Sequence, residues 1–207
     1  MIQAKKRDKN QVVRIITECF ANNPGVNFII GKGGNKTRKL RALAEYAFDY
    51  AFYRNGVFLT KNKQGLAICY PYRAKAKKLY DFWLKIRLVC QAISITRLKK
   101  VLGHTYLLQT IRPSHEDYLY FWFMGVVREG RENFQTAVEI MNYIFNLSIT
   151  HKLPVYAETT VSRNKGIYEQ LGFKTYNQIH NRDYGISVWF MSRDYRINCR
   201  WMKGPNL

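Results

Sequence analysis

The chain has 207 residues, 47% of them apolar, with 34 Lys and Arg against 14 Asp and Glu, a formal net charge of +20. That is enough apolar content and length for one folded domain spanning residues 1–207, and it excludes a disordered chain. The charge calls for an anionic partner, whether a phosphorylated cofactor, a nucleic acid or an acidic membrane.

The N-terminal MIQAKKRDKNQ is basic but has no apolar stretch behind it, so it does not read as a signal peptide, and a cytoplasmic protein is expected. The longest apolar run, YLYFWFMGVV at 118–127, falls well short of the roughly 20 residues that cross a bilayer. Cys19, Cys69, Cys90 and Cys199 form no C-x-x-C, and His104, His115, His151 and His180 do not cluster with them. No metal site is expected, and the cysteines read as reduced thiols.

Residues 8–20, DKNQVVRIITECF, place apolar side chains at 12, 13, 15, 16, 19 and 20, the spacing of a helix with one buried face. ANNPG reads as the turn that ends it. GKGGNKTRK at 31–39 is not a phosphate loop of the G-x-x-x-x-G-K-[ST] type, because Val26 and Gly33 stand where Gly and Ser or Thr are required. A flexible basic loop is expected there, followed by a helix from Thr37 to about Tyr53 with Leu40, Leu43, Ala44, Ala47, Phe48 and Ala51 on one side. GVFLTKNKQGLAICYPY at 56–72 predicts a hairpin.

Residues 73–100 carry nine Lys or Arg and one acid, Asp81, with Leu79, Phe82, Trp83, Ile86, Val89, Cys90 and Ile93 at helical spacing. This predicts one or two basic amphipathic helices, a helical insertion whose apolar stripe is core or lid, or which lies on a membrane or a nucleic acid. Next come a central strand at 118–127, buried on both faces, and a polar connection, REGRENFQ. A helix over 136–151, a strand over 154–160, a helix from Asn164 to Leu171 and two closing strands, FKTYNQI and GISVWFMSR, complete the chain.

The segment N164-x-x-x-Y168-E-x-L171-G172-F173 has its own physical content. Ile167 and Leu171 share a helix face, Gly172 supplies the left-handed residue that ends the helix, and Phe173 packs back over the last turn. This segment, with a strand before it and two after, resembles the GNAT superfamily of acetyl-CoA-dependent N-acetyltransferases over about residues 118–193. The resemblance implies an α/β (α+β) fold with a central mixed, mostly antiparallel sheet flanked by helices. It implies acetyl-CoA as co-substrate and an amine as acceptor, joined by direct attack.

By that resemblance Tyr168 protonates the departing CoA thiolate, whose parent thiol has a pKa of about 8.5. A packed aromatic is the alternative. Asn164 corresponds to an asparagine that holds the pantetheine or pyrophosphate arm, or it is an N-cap. Met124 and Val126 correspond to the strand backbone that holds pantetheine, where an N–H beside the thioester carbonyl also stabilises an oxyanion. The pyrophosphate turn, [RQ]-x-x-G-x-[GA] in the family, is here Arg131-Glu132-Asn133-Phe134-Gln135-Thr136, which keeps the arginine and replaces both small residues. A bulky residue at positive φ is strained, so either the loop follows another path or the site has decayed.

The general base is not implied by the resemblance. Glu158, a lone carboxylate on the apolar strand PVYAETT, is the candidate, with a surface position on an alternating strand as the alternative. Tyr118, Tyr120 and Trp122 alternate on one face and line an acceptor pocket or belong to the core. Two other functions stay open: a GNAT-fold interaction module that binds CoA weakly or not at all, and a basic nucleic-acid-binding protein, for which no motif is visible. The basic charge favours acidic acceptors over polyamines.

Overall fold

The computed structural model describes residues 1–31, 33–74, 77–127, 134–181 and 185–197. Three helices open the chain: α1 (Lys9–Phe20), α2 (Pro24–Ile30) and α3 (Lys36–Phe52). Helix α1 buries Val12, Val13, Ile15 and Ile16, the face its spacing predicts, and each such burial contributes roughly 1.5–3 kcal/mol. ANNPG does not merely end α1. Asn23 caps α2 by accepting the Val26 N–H, and Pro24 occupies the first helical position, where its missing N–H costs nothing. Helix α3 buries Leu40, Leu43, Ala44, Ala47, Phe48 and Ala51, as expected, and Asn35 caps it.

The sheet has seven strands: β1 (Ile2–Gln3), β2 (Val57–Leu59), β3 (Gly65–Pro71), β4 (Leu119–Val126), β5 (Val155–Thr159), β6 (Lys174–Asn181) and β7 (Ile186–Arg193). Their spatial order is β1-β2-β3-β4-β5-β7-β6. Every neighbouring pair is antiparallel except β4 with β5. A parallel pair needs a crossover, and here it is α6 (Phe134–His151), which packs on β3 and β4. The helix over 164–171 is α7 (Ser162–Gln170).

The basic stretch forms two helices, α4 (Lys78–Ala92) and α5 (Ile95–Ile111), the second reaching well past residue 100. Helix α4 packs on α3 through Leu84, Leu88 and Ala92. Of the expected stripe, Leu79, Phe82, Trp83, Ile86 and Cys90 are exposed and so are not core, while Ile93 packs against α2 and α3.

The core lies in two layers. Helices α1 and α3 cover one face of the sheet with Val12, Ile15, Ile16, Ala47 and Phe48 against Leu66, Ile68, Tyr70 and Phe123. Helix α6 covers the other with Ile140, Met141, Ile144 and Phe145 against Ala67, Leu119, Phe121 and Met191. Gly65 lets α6 come close: a Cβ there would stand 2.9 Å from Thr136 Cγ2 and 3.0 Å from Ile140 Cδ1. Among the described residues no helix is long and apolar enough to cross a membrane.

Candidate active site

The site begins with a fork in the sheet. Strands β4 and β5 pair only from Leu119↔Val155 to Phe121↔Ala157, while β4 continues to Val126, paired with β3. A bulge marks the change: Ile68 pairs with Phe123 and Cys69 with Phe121, so Trp122 is the extra residue. Before the bulge Tyr118, Tyr120 and Trp122 face α1 and α3, and Leu119 and Phe121 face α6. After it the phase switches, and Phe123 and Val127 face α1 and α3 while Met124 and Val126 face α6.

The switch also redirects the backbone. Val127 donates its N–H to the Gln64 carbonyl at 2.9 Å, on the β3 side. By alternation the Met124 N–H points away from β3, into the fork. The Val126 carbonyl accepts from Cys19 Sγ at 3.3 Å.

The far end of β4 meets a helix N-terminus. Val126 pairs with Gly65, and Gly65 is closed over by Thr136, so the first turn of α6 lies beside the end of the strand. Thr136 is buried there, Gln135 is exposed, and Phe134 is 78% exposed. Phe134 and Thr136 are helical, so neither needs positive φ and the strain expected of bulky residues in this turn does not arise. The leading N–H groups of an 18-residue helix with no acid in its first turn attract an anion. Arg131, Glu132 and Asn133 lie outside the described residues.

Tyr168 approaches the fork from the α6 face. Helix α7 ends in two reverse bonds, Phe173 N–H to the Tyr168 carbonyl at 2.9 Å and Gly172 N–H to the Glu169 carbonyl at 3.0 Å. Gly172 has φ of 86°, the left-handed residue this ending requires. Phe173 packs back on Tyr168 with ring centroids 5.1 Å apart, and Tyr168 meets Phe121 edge-on at 6.4 Å.

The expected packing of the helix end is therefore present, although of the pair Ile167 and Leu171 only Leu171 packs inward. Burial pushes the Tyr168 phenol up to about 12, so it keeps its proton at neutral pH. Arg193, missed in the sequence, fixes the same helix end by donating from Nε to the Leu171 carbonyl at 3.0 Å while its guanidinium lies over Phe145. Asn164 is exposed and is not the N-cap, a position Val161 occupies without a side-chain bond.

Glu158 lies one residue beyond the last β4–β5 pair, on the opposite face. It is not a solvated surface residue. Arg112 Nε and Nη2 donate to its two oxygens at 2.5 and 2.9 Å, and the Tyr120 hydroxyl donates to Oε2 at 3.3 Å. Burial alone lowers the Arg112 pKa, but Tyr120 and Glu158 reverse this and leave it raised.

Sequence reasoning missed Arg112. One local signal exists: Arg112 precedes Pro113, which forces it into extended backbone and ends α5. Around this pair stand Tyr46, Tyr50, Tyr70, Tyr72 and Tyr118, joined to Tyr120 and Trp122 by ring contacts. The Tyr118 hydroxyl is buried without a hydrogen-bond partner.

No protein-family model and no curated protein matches this sequence. Solved structures do match in fold. The structure of histone acetyltransferase HPA2 and related acetyltransferase from Corynebacterium glutamicum aligns with a TM-score of 0.68 at 19% identity, over 96% of this chain and 97% of that one. The C-terminal condensation domain of Ebony, in complex with beta-alanyl-dopamine, gives 0.67 at 12% identity, over 93% and 97%. Arylalkylamine N-acetyltransferase 2 from Aedes aegypti gives 0.61 at 14% identity, over 94% and 97%. This chain has the fold of the GNAT acetyltransferases.

Proposed function

We propose that the protein is an N-acetyltransferase that moves the acetyl group of acetyl-CoA to an amine by direct attack. The fork carries this reading, because it combines a strand backbone aimed between the parting strands, a phenol on one side and a helix N-terminus at its outer end. Those features match the parts of a CoA thioester: an amide-rich arm, a sulfur that leaves as thiolate and a pyrophosphate. The names of the structural neighbours agree, two being acetyltransferases of which one acts on arylalkylamines, and the third holding an amine conjugate.

In this reading the backbone of Met124 and Val126 holds pantetheine. Arg131, Glu132, Asn133, Phe134, Gln135 and Thr136 surround the pyrophosphate, and exposed Asn164 reaches the arm. Tyr118 and Tyr120 belong to the core, and the acceptor enters beside Trp122, the partly exposed residue on their face. An alkyl ammonium with a pKa near 10.4 must first lose a proton. Glu158, whose two oxygens accept from Arg112 and the Tyr120 hydroxyl, accepts it.

The free amine attacks the thioester carbonyl, and the Met124 N–H faces the oxygen on which negative charge grows. Collapse breaks the carbon–sulfur bond, Tyr168 gives its proton to the thiolate, and the second proton that the acylated nitrogen sheds restores the phenol. The test is release of CoA thiol from acetyl-CoA across a panel of amines. Acceptor-dependent release is expected, and release that no amine raises above the hydrolysis rate would sink the reading.

The exposed Phe134 favours a second reading, a GNAT-fold interaction module that lacks CoA. A bulky apolar side chain at the mouth of a phosphate site is a contact point for another protein as readily as for an adenine ring.

A further inference from the structure

Helix α4 has two apolar faces. Leu84, Leu88 and Ala92 pack on α3, and Asp81, the only acid in the helix, also points inward, where Arg54 Nη2 stands 2.5 Å from its Oδ2. Leu79, Phe82, Trp83 and Ile86 follow the i, i+3, i+4, i+7 spacing of a single stripe. At about 100° per residue, that stripe lies roughly opposite the packed face. It is exposed throughout: Leu79 by 86%, Phe82 by 64%, Trp83 by 53% and Ile86 by 47%. Exposed Lys78 and Lys85 flank it on one side, and on the other Arg87 lies over the Trp83 ring at 5.7 Å while paired with Glu45 at 3.0 Å.

Four large apolar side chains in one exposed row, edged by cations on a chain of net charge +20, require an occupant that is both apolar and anionic. A second copy of the chain would bring Lys78 and Lys85 against their own kind. A nucleic acid supplies the negative charge, but its phosphates and base edges offer nothing to Leu79 or Ile86. A bilayer surface rich in acidic lipids supplies both, acyl chains beneath and phosphate or carboxylate headgroups above. At about 22 Å, the 15-residue α4 is too short to span a bilayer and long enough to lie on one.

We propose that α4 docks the protein on an anionic membrane surface, with Leu79, Phe82, Trp83 and Ile86 inserted at headgroup depth and Lys78 and Lys85 on the acidic headgroups. This site does not depend on whether the fork binds CoA.

The test is flotation of the full chain with vesicles of phosphatidylcholine, alone or mixed with phosphatidylserine, at moderate salt. Binding is expected to the mixed vesicles and not to the neutral ones, with a blue shift in fluorescence that Trp83→Phe removes. The variant Leu79→Ser/Phe82→Ser/Trp83→Ser should bind at least about tenfold more weakly while keeping its circular dichroism and melting temperature, because these side chains are exposed. Lys78→Ser/Lys85→Ser should lose several-fold and become less sensitive to salt.

Absence of flotation with mixed vesicles overturns the proposal. So does a serine variant that floats like the parent, which assigns binding to net charge alone. A serine variant whose only defect is loss of a dimer in sedimentation assigns the stripe to a second copy, and one whose only defect is loss of oligonucleotide binding assigns it to nucleic acid.

Discussion

The two faces of the sheet at the fork are built differently. On the α6 side Tyr168 sits among Phe121, Phe173, Met124 and Leu171, and burial in that apolar setting pushes its phenol up to about 12. On the α1 and α3 side the strands present tyrosines, with the Arg112–Glu158 and Arg54–Asp81 pairs set among them. The difference teaches that a single sheet separates two electrostatic environments, one apolar and one lined by ion pairs and hydroxyls. Burial among apolar groups favours the neutral form of the Tyr168 phenol, whereas each carboxylate on the tyrosine face has an arginine partner.

The largest effect expected on this contrast is at Tyr168. Tyr168→Phe keeps the ring contacts and removes the proton, so turnover should fall by about 10²–10⁴ while acetyl-CoA affinity and melting temperature stay close to those of the parent. With a phenol pKa of about 12, the Tyr168-dependent step should show no alkaline loss between neutral pH and about 10. An unchanged turnover would reduce the α6 side to packing.

Next is the cation on the other face. Arg112→Ala leaves Glu158 and the Tyr120 hydroxyl in a mostly buried site without their partner, and a loss of about 3 kcal/mol is expected in urea unfolding. Glu158→Gln retains bulk and should lower turnover at least about tenfold at neutral pH, with partial recovery as the acceptor amine loses its own proton at higher pH. A flat response to pH would remove Glu158 from proton transfer.

Smaller effects follow. Gly172→Ala forces a Cβ to φ of 86° and within 3.3 Å of Ile197 Cγ2, so it should cost about 1–2 kcal/mol and loosen the helix that carries Tyr168. Tyr118→Phe deletes a buried hydroxyl that has no partner, and it should raise stability by up to about 1 kcal/mol. If that variant instead weakens acceptor binding, the hydroxyl belongs to the acceptor site.

The α6 side was largely legible because its determinants are local. The Leu-Gly-Phe ending of α7, the apolar period of α6 and the β4 run each fall within a few residues of one another, and the expected element order from 118 to 193 is the observed one. The tyrosine face was not legible in the same way. Arg112 and Glu158 meet across 46 residues, Arg54 and Asp81 across 27, and no periodicity announces such pairs.

The bulge at Trp122 lies in a run where nearly every residue is apolar, so the change of phase leaves no pattern to read. Helix α4 was ambiguous for a similar reason. Both of its faces are apolar, and only packing on α3 decides which one is left in solvent. ANNPG does end α1, but Asn23-Pro24 also starts α2, a second role that the sequence reading did not assign.

The central claim is that the fork holds acetyl-CoA. Calorimetric titration of the full chain with acetyl-CoA at moderate salt tests it most directly, with Tyr168→Phe and Arg131→Ala as companions. Saturable one-to-one binding is predicted, retained in Tyr168→Phe and weakened in Arg131→Ala. Absence of saturable binding, or binding indifferent to Arg131 and abolished by salt alone, would contradict it.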